Sequence, residues 1–173
     1  HKTTFQFGTQ QRSDAKFLQA CELVRNKRIG DLKTINVWSP ASASGGSLEQ
    51  TPVPANLDYE RWLGPAPFTP YTKDRESNAW WWFIEDYALG FIAGWGIHPL
   101  DIALWGAGSL MHAPVIVEGT GVFPEAGLCN TATGWKITLR YATGLEIDYR
   151  SEPAPKEWTD RYGLADSHGT AFE

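Results

Sequence analysis

The sequence predicts an α+β domain, an open and mostly antiparallel sheet with helices packed on one face. Three observations predict it. Strand-like alternation gathers in the last third of the chain, apolar helical stripes precede it, and no regular strand–helix–strand repeat joins the two. The 173 residues, 42% hydrophobic and 20% charged, suffice for one domain with a sizeable core, so residues 1–173 read as a single unit.

Taken in order, Thr4, Phe5, Gln6 and Phe7 alternate into Gly8 as a short strand. Phe17, Cys21 and Val24 then form one helical stripe, with Ser13 as the N-cap, Asp14 at the positive end of the dipole and Gly30 closing the C-terminus. Asp31 to Ser39 reads as a strand. From Pro40 to Tyr71 six prolines exclude most regular structure. Leu57, Tyr59, Trp62, Leu63, Phe68 and Tyr71 nevertheless supply anchors, so an ordered excursion packed over the domain is expected.

Phe91 to Gly108 is apolar almost throughout. Two helical readings fit it: one starts at Pro99 with His98 as cap, the other starts near Gly90 and kinks at Pro99. Strands follow at Val115 to Phe123, at Trp135 to Tyr141 and at Leu145 to Arg150. A three-residue turn with Gly144 left-handed sets Tyr141 opposite Leu145, Arg140 opposite Glu146 and Leu139 opposite Ile147. The same register sets Lys136 against Arg150, two like charges. One face of this sheet is apolar and should carry the helices, while the polar face is open to water or a second subunit.

Composition narrows the function. Twenty Asp and Glu against 15 Lys and Arg leave no extended cationic surface, which excludes nucleic acid. No apolar run approaches the ~20 residues that span a bilayer, so a soluble, cytoplasmic protein without a membrane partner is expected. Two cysteines, Cys21 and Cys129, build neither a disulfide framework nor a zinc site, so no metal is expected. Aromatic residues are in excess, with 9 Trp that include the run Trp80, Trp81, Trp82, and some should line a cleft or an interface. No glycine-rich turn follows a strand and opens a helix, so the chain supplies no dinucleotide cradle by itself.

The best local candidate for chemistry is Gly94-Trp95-Gly96-Ile97-His98-Pro99-Leu100-Asp101. An imidazole side chain exchanges protons near neutral pH, which suits proton transfer at a substrate hydroxyl, and Asp101 lies three residues on, on the same helical face. The bland alternative makes His98 a helix-start residue and Asp101 a dipole partner. His112 and His168 have no local partners and receive no role.

Four segments in sequence carry a resemblance: Gly8-Thr9-Gln10-Gln11-Arg12-Ser13, Arg28-Ile29-Gly30-Asp31-Leu32, Leu57 to Pro67 around Trp62-Leu63-Gly64-Pro65-Ala66-Pro67, and Gly96-Ile97-His98-Pro99-Leu100-Asp101. Together they resemble the C-terminal half of the Gfo/Idh/MocA oxidoreductases. The resemblance implies a two-domain enzyme whose N-terminal Rossmann domain, lying outside this sequence, binds NAD or NADP. Residues 1–8 would then correspond to the last strand of that domain. This half would form the site for a sugar, cyclitol or glycoside and a homo-oligomer interface through its open sheet, with no cofactor on this chain alone.

Carried over position by position, His98 becomes the catalytic proton relay and Asp101 a substrate-binding group. Gly94 stands where the family has an Asp. The family's lysine lies outside the chain. Arg12 and Trp62 join as substrate-binding residues, since a guanidinium grips polyol oxygens and an indole stacks on a sugar's apolar face. The alternative reading is a non-catalytic carbohydrate-binding or assembly module.

Overall fold

The computed structural model describes residues 2–151, 154–163 and 168–173. Helix α1 (Ala15–Arg25) forms on the expected stripe, with Cys21 and Val24 buried. Its ends differ from expectation. Ser13 is taken up by a 3-10 turn, Gln10–Ser13, so the cap falls to Asp14, whose carboxylate accepts from the Lys16 amide at 2.7 Å. At the C-terminus Lys27 adopts the left-handed conformation first (φ 56°), three residues before Gly30 (φ 95°), and the Lys27 and Arg28 amides donate to the Val24 and Leu23 carbonyls. The leading segment, residues 2–9, forms no strand, and Phe5 is 89% exposed.

Strand β1 (Thr34–Ser39) is buried at five of its six positions. The excursion that follows is largely irregular, as its prolines require, and is held by the short helix α2 (Tyr59–Leu63) and a cluster of Tyr59, Leu63 and Tyr71. The apolar stretch after it divides into α3 (Phe91–Gly94) and α4 (Ile97–Ala107), so Pro99 is the third residue of its helix and neither sequence reading holds in full. The break falls at Gly96 for a tertiary reason. Tyr149 Oη donates to the Ile92 carbonyl at 2.8 Å and accepts from Ser39 Oγ at 2.9 Å, and a Cβ on Gly96 would stand 1.8 Å from that hydroxyl.

The strands are β2 (Val115–Val122), β3 (Gly134–Tyr141), β4 (Glu146–Ser151) and β5 (Gly169–Phe172). With β1 they make one five-stranded sheet in the order β2-β3-β4-β1-β5, antiparallel except for the β1–β4 pair. The β3–β4 hairpin has the expected register, with Arg140 opposite Glu146 and Leu139 opposite Ile147, and Gly144 has φ 88°. Lys136 does stand opposite Arg150. Arg150 accommodates this by pairing with Asp148 at 3.1 Å and by resting its guanidinium 5.3 Å from the Trp158 ring centre.

Ile35, Val37, Leu145, Ile147 and Tyr149 form the core with Ala103 and Ala107 of α4. The sequence reading missed β5 and the helix α5 (Lys156–Tyr162). Helix α5 packs on the sheet's other face, where Trp158 and Tyr162 meet Trp38 at centroid distances of 6.1 and 6.2 Å and Asn36 Nδ2 donates to Tyr162 Oη at 2.8 Å. Among the described residues no helix covers that face over β3 and β2. No described helix is long and apolar enough to cross a membrane.

Candidate functional site

The start of α4 is where the chemistry-bearing residues meet. His98, in its first turn, is half-buried, and among the described residues its ring makes no hydrogen bond. Trp95 fixes one side of it, edge to face at a centroid distance of 6.3 Å. One turn on, Asp101 is 9% exposed and accepts both arms of Arg12, from Nε at 2.7 Å and from Nη2 at 2.8 Å. This fork-on-fork geometry suits a guanidinium and a carboxylate. Asp101 holds the Arg12 side chain firmly protonated against the opposing effect of partial burial, and the guanidinium lies 5.5 Å from the Trp105 ring centre. The pair ties the leading segment to the helix that carries His98.

Beside it lies a cavity of about 390 Å³ bounded by Gln11, Trp38, Pro99, Tyr162, His168 and Thr170. Thr170 Oγ1 donates to the Pro99 carbonyl at 2.6 Å, so β5 is sewn to the first turn of α4. Two buried polar atoms on this wall, Gln11 Oε1 and His168 Nδ1, have no partner among the described residues. Trp95 Nε1, on a ring 5.5 Å from that of His168, is a third. Buried polar groups are normally satisfied, so these three orphans are groups that a polar ligand or ordered water would satisfy.

His168 is the residue that sequence reasoning missed. It lies 70 positions from His98 with no local pattern around it, and only the pairing of β5 on β1 brings it here. Arg12 and Asp101 are brought together with His98, whereas Trp62 is not. It stacks on Tyr59 at 5.9 Å and meets Tyr87 edge-on at 4.8 Å in a separate pocket. Gly94, at the position where the resemblance implies a carboxylate, faces the Trp82 ring at 3.0 Å from a notional Cβ. An indole thus occupies the space into which a side chain there would grow. Among the described residues no three His, Cys, Asp or Glu side chains converge to hold a metal.

A family model described as the oxidoreductase family, C-terminal alpha/beta domain, matches residues 29–162. No curated protein sequence matches the chain. Among solved structures, an oxidoreductase from Thermotoga maritima has a TM-score of 0.54 at 14% identity, covering 96% of this chain and 39% of that one. A protein described as an oxidoreductase from Erwinia carotovora atroseptica has a TM-score of 0.54 at 16% identity, covering 97% and 40%. A myo-inositol dehydrogenase from Corynebacterium glutamicum is more distant, with a TM-score of 0.44 at 19% identity over 83% of this chain and 32% of its own. At these identities the likeness shows the fold alone, and the chain spans about two fifths of the length of the first two proteins.

Proposed function

Because this chain belongs to the Gfo/Idh/MocA oxidoreductase family through its C-terminal α/β domain, we propose that it is the substrate-binding and oligomerisation half of an NAD(P)-dependent oxidoreductase acting on a sugar, cyclitol or glycoside. The observation that carries the reading is the half-buried His98 imidazole, backed by Trp95, one residue before Pro99, which lines a cavity whose wall also holds unpartnered Gln11 and His168 atoms. In this reading His98 takes the proton of the reacting hydroxyl, and Gln11 and His168 bind neighbouring hydroxyls. Arg12 uses Nε and Nη2 on Asp101, which leaves Nη1 for a substrate oxygen and makes Asp101 a positioning residue.

The described residues do not fit a nicotinamide dinucleotide. The parallel strands β1 and β4 flank no glycine-rich turn into a helix, since β1 runs directly into the proline-rich excursion. This reading therefore assigns NAD or NADP to another part of a cytoplasmic full-length enzyme and expects none on this chain alone. It also assigns the polar sheet face to assembly of like subunits. There Arg140 pairs with Glu118 and Glu146, and Arg150 with Asp148, alternating signs that a two-fold axis can match to themselves.

The test is His98→Ala in the full-length enzyme. Turnover should fall by about a hundredfold or more while the melting temperature holds, as expected for loss of a proton-transfer group. Unchanged turnover with a lowered melting temperature would make His98 structural and remove the reading's main support.

A further inference from the structure

The end of the irregular excursion and the segment that follows it build a second pocket, and we propose that it binds a pyranose ring of a glycan, with Trp62, Trp81 and Tyr87 as stacking walls and Glu76, Asn78 and Asp86 as hydroxyl ligands. The pocket encloses about 420 Å³, within the usual range for small-ligand sites. Its walls are held in place. Asp58 caps α2 by accepting from the Arg61 amide at 3.1 Å, and Tyr59 Oη donates to the Thr69 carbonyl at 2.9 Å beneath Trp62. Buried Arg75 donates from Nη1 to Tyr87 Oη at 3.1 Å, which sets the ring that meets Trp62.

The polar groups are arranged differently. Tyr71 Oη donates to Glu76 Oε1 at 3.0 Å, orienting that carboxylate and leaving its other oxygen free. Asp86 and Asn78 make no side-chain hydrogen bond or ion pair among the described residues. Aromatic faces beside unspent acceptors suit a sugar, whose axial C–H face stacks while its hydroxyls donate to carboxylates and an amide. A cation is the other chemistry such walls accept. The Arg75 guanidinium, hydrogen-bonded to Tyr87 behind the wall, offsets part of the negative charge of Glu76 and Asp86, and the cationic control below tests the remainder.

This site stands apart from the His98 groove and does not rest on the oxidoreductase reading. The test titrates methyl β-glucoside, maltose and cellobiose into the full-length protein by calorimetry, with choline as the cationic control. At least one saccharide should bind saturably, with the same affinity whether or not NAD is added. Trp81→Ala should weaken it tenfold or more and Asp86→Asn severalfold. Asp86 is exposed, so its variant carries the test if Trp81→Ala fails to fold. Absence of saccharide binding, binding of choline in its place, or affinity unchanged in the folded variants would each overturn the proposal, while His98→Ala should leave this binding intact.

Discussion

Strands β1 and β2 have similar β-branched content and opposite surroundings. β1, Thr-Ile-Asn-Val-Trp-Ser, is buried at five of six positions, whereas β2, Val-Ile-Val-Glu-Gly-Thr-Gly-Val, is exposed at all eight. The difference lies in their neighbours. β1 runs between β4 and β5 with α4 on one face and α5 on the other, while β2 has β3 on one side only and lies beyond both helices. β-branched residues mark where a strand forms, and position in the sheet decides what it buries. Glu118 and the two glycines of β2 interrupt what would otherwise be an adhesive edge, but Ile116, Val117 and Val122 remain 65%, 59% and 65% exposed.

The largest break in this comparison should come at the buried centre. Gly96→Ala places a methyl group against Tyr149 Oη and within 2.4 Å of the Ile92 carbonyl, where neither backbone nor phenol has room to retreat. Chemical denaturation should show a loss of about 3 kcal/mol, the upper end of overpacking costs. A loss under about 1 kcal/mol would mean that the junction between α3 and α4 is loose.

A smaller effect should appear in alkali. Burial pushes the Tyr149 hydroxyl up to about 12, and Tyr59 likewise. Between an unfolded value near 10 and that folded value the unfolded chain has lost the proton and the native one keeps it, so stability falls as pH rises through this window. The part due to Tyr149 approaches about 2 kcal/mol by pH 12. Tyr149→Phe should therefore lose less stability than the parent between pH 10 and 12 in urea titrations. Parallel pH profiles would place the hydroxyl in water.

The smallest effect on folding belongs to the exposed edge. Ile116→Asp should change monomer stability by less than about 0.5 kcal/mol, since it uncovers nothing. It should nevertheless dissociate in sedimentation the assembly proposed for the polar sheet face, and persistence of such an assembly would remove β2 from the proposed interface.

How much was legible follows from the range of each interaction. The β3–β4 hairpin could be read because alternation and a left-handed Gly144 act within a few residues. The α1 stripe could be read for the same reason, yet its caps could not: Asp14 and Ser13 compete for one role, and Lys27 takes a conformation that glycine would adopt more cheaply. Of the site, His98 and Asp101 were visible as a spacing and Arg12 as a motif. That Arg12 spends two donors on Asp101, 89 residues away, was not. Trp62 was legible as an aromatic anchor, but which pocket it would enter was not.

By itself the sequence determined an acidic α+β chain, the apolar stripe of α1, the apolar run that holds α4, and the pairing of β3 with β4, because periodicity and turn chemistry are local. Only the tertiary structure decided that β4 would take β1 as a parallel neighbour, that β5 would bring His168 beside the first turn of α4, and that Tyr149 would split the helix at Gly96. Those outcomes depend on groups far apart in the chain, whose buried polar atoms and ring volumes can be matched only once the core has closed around them.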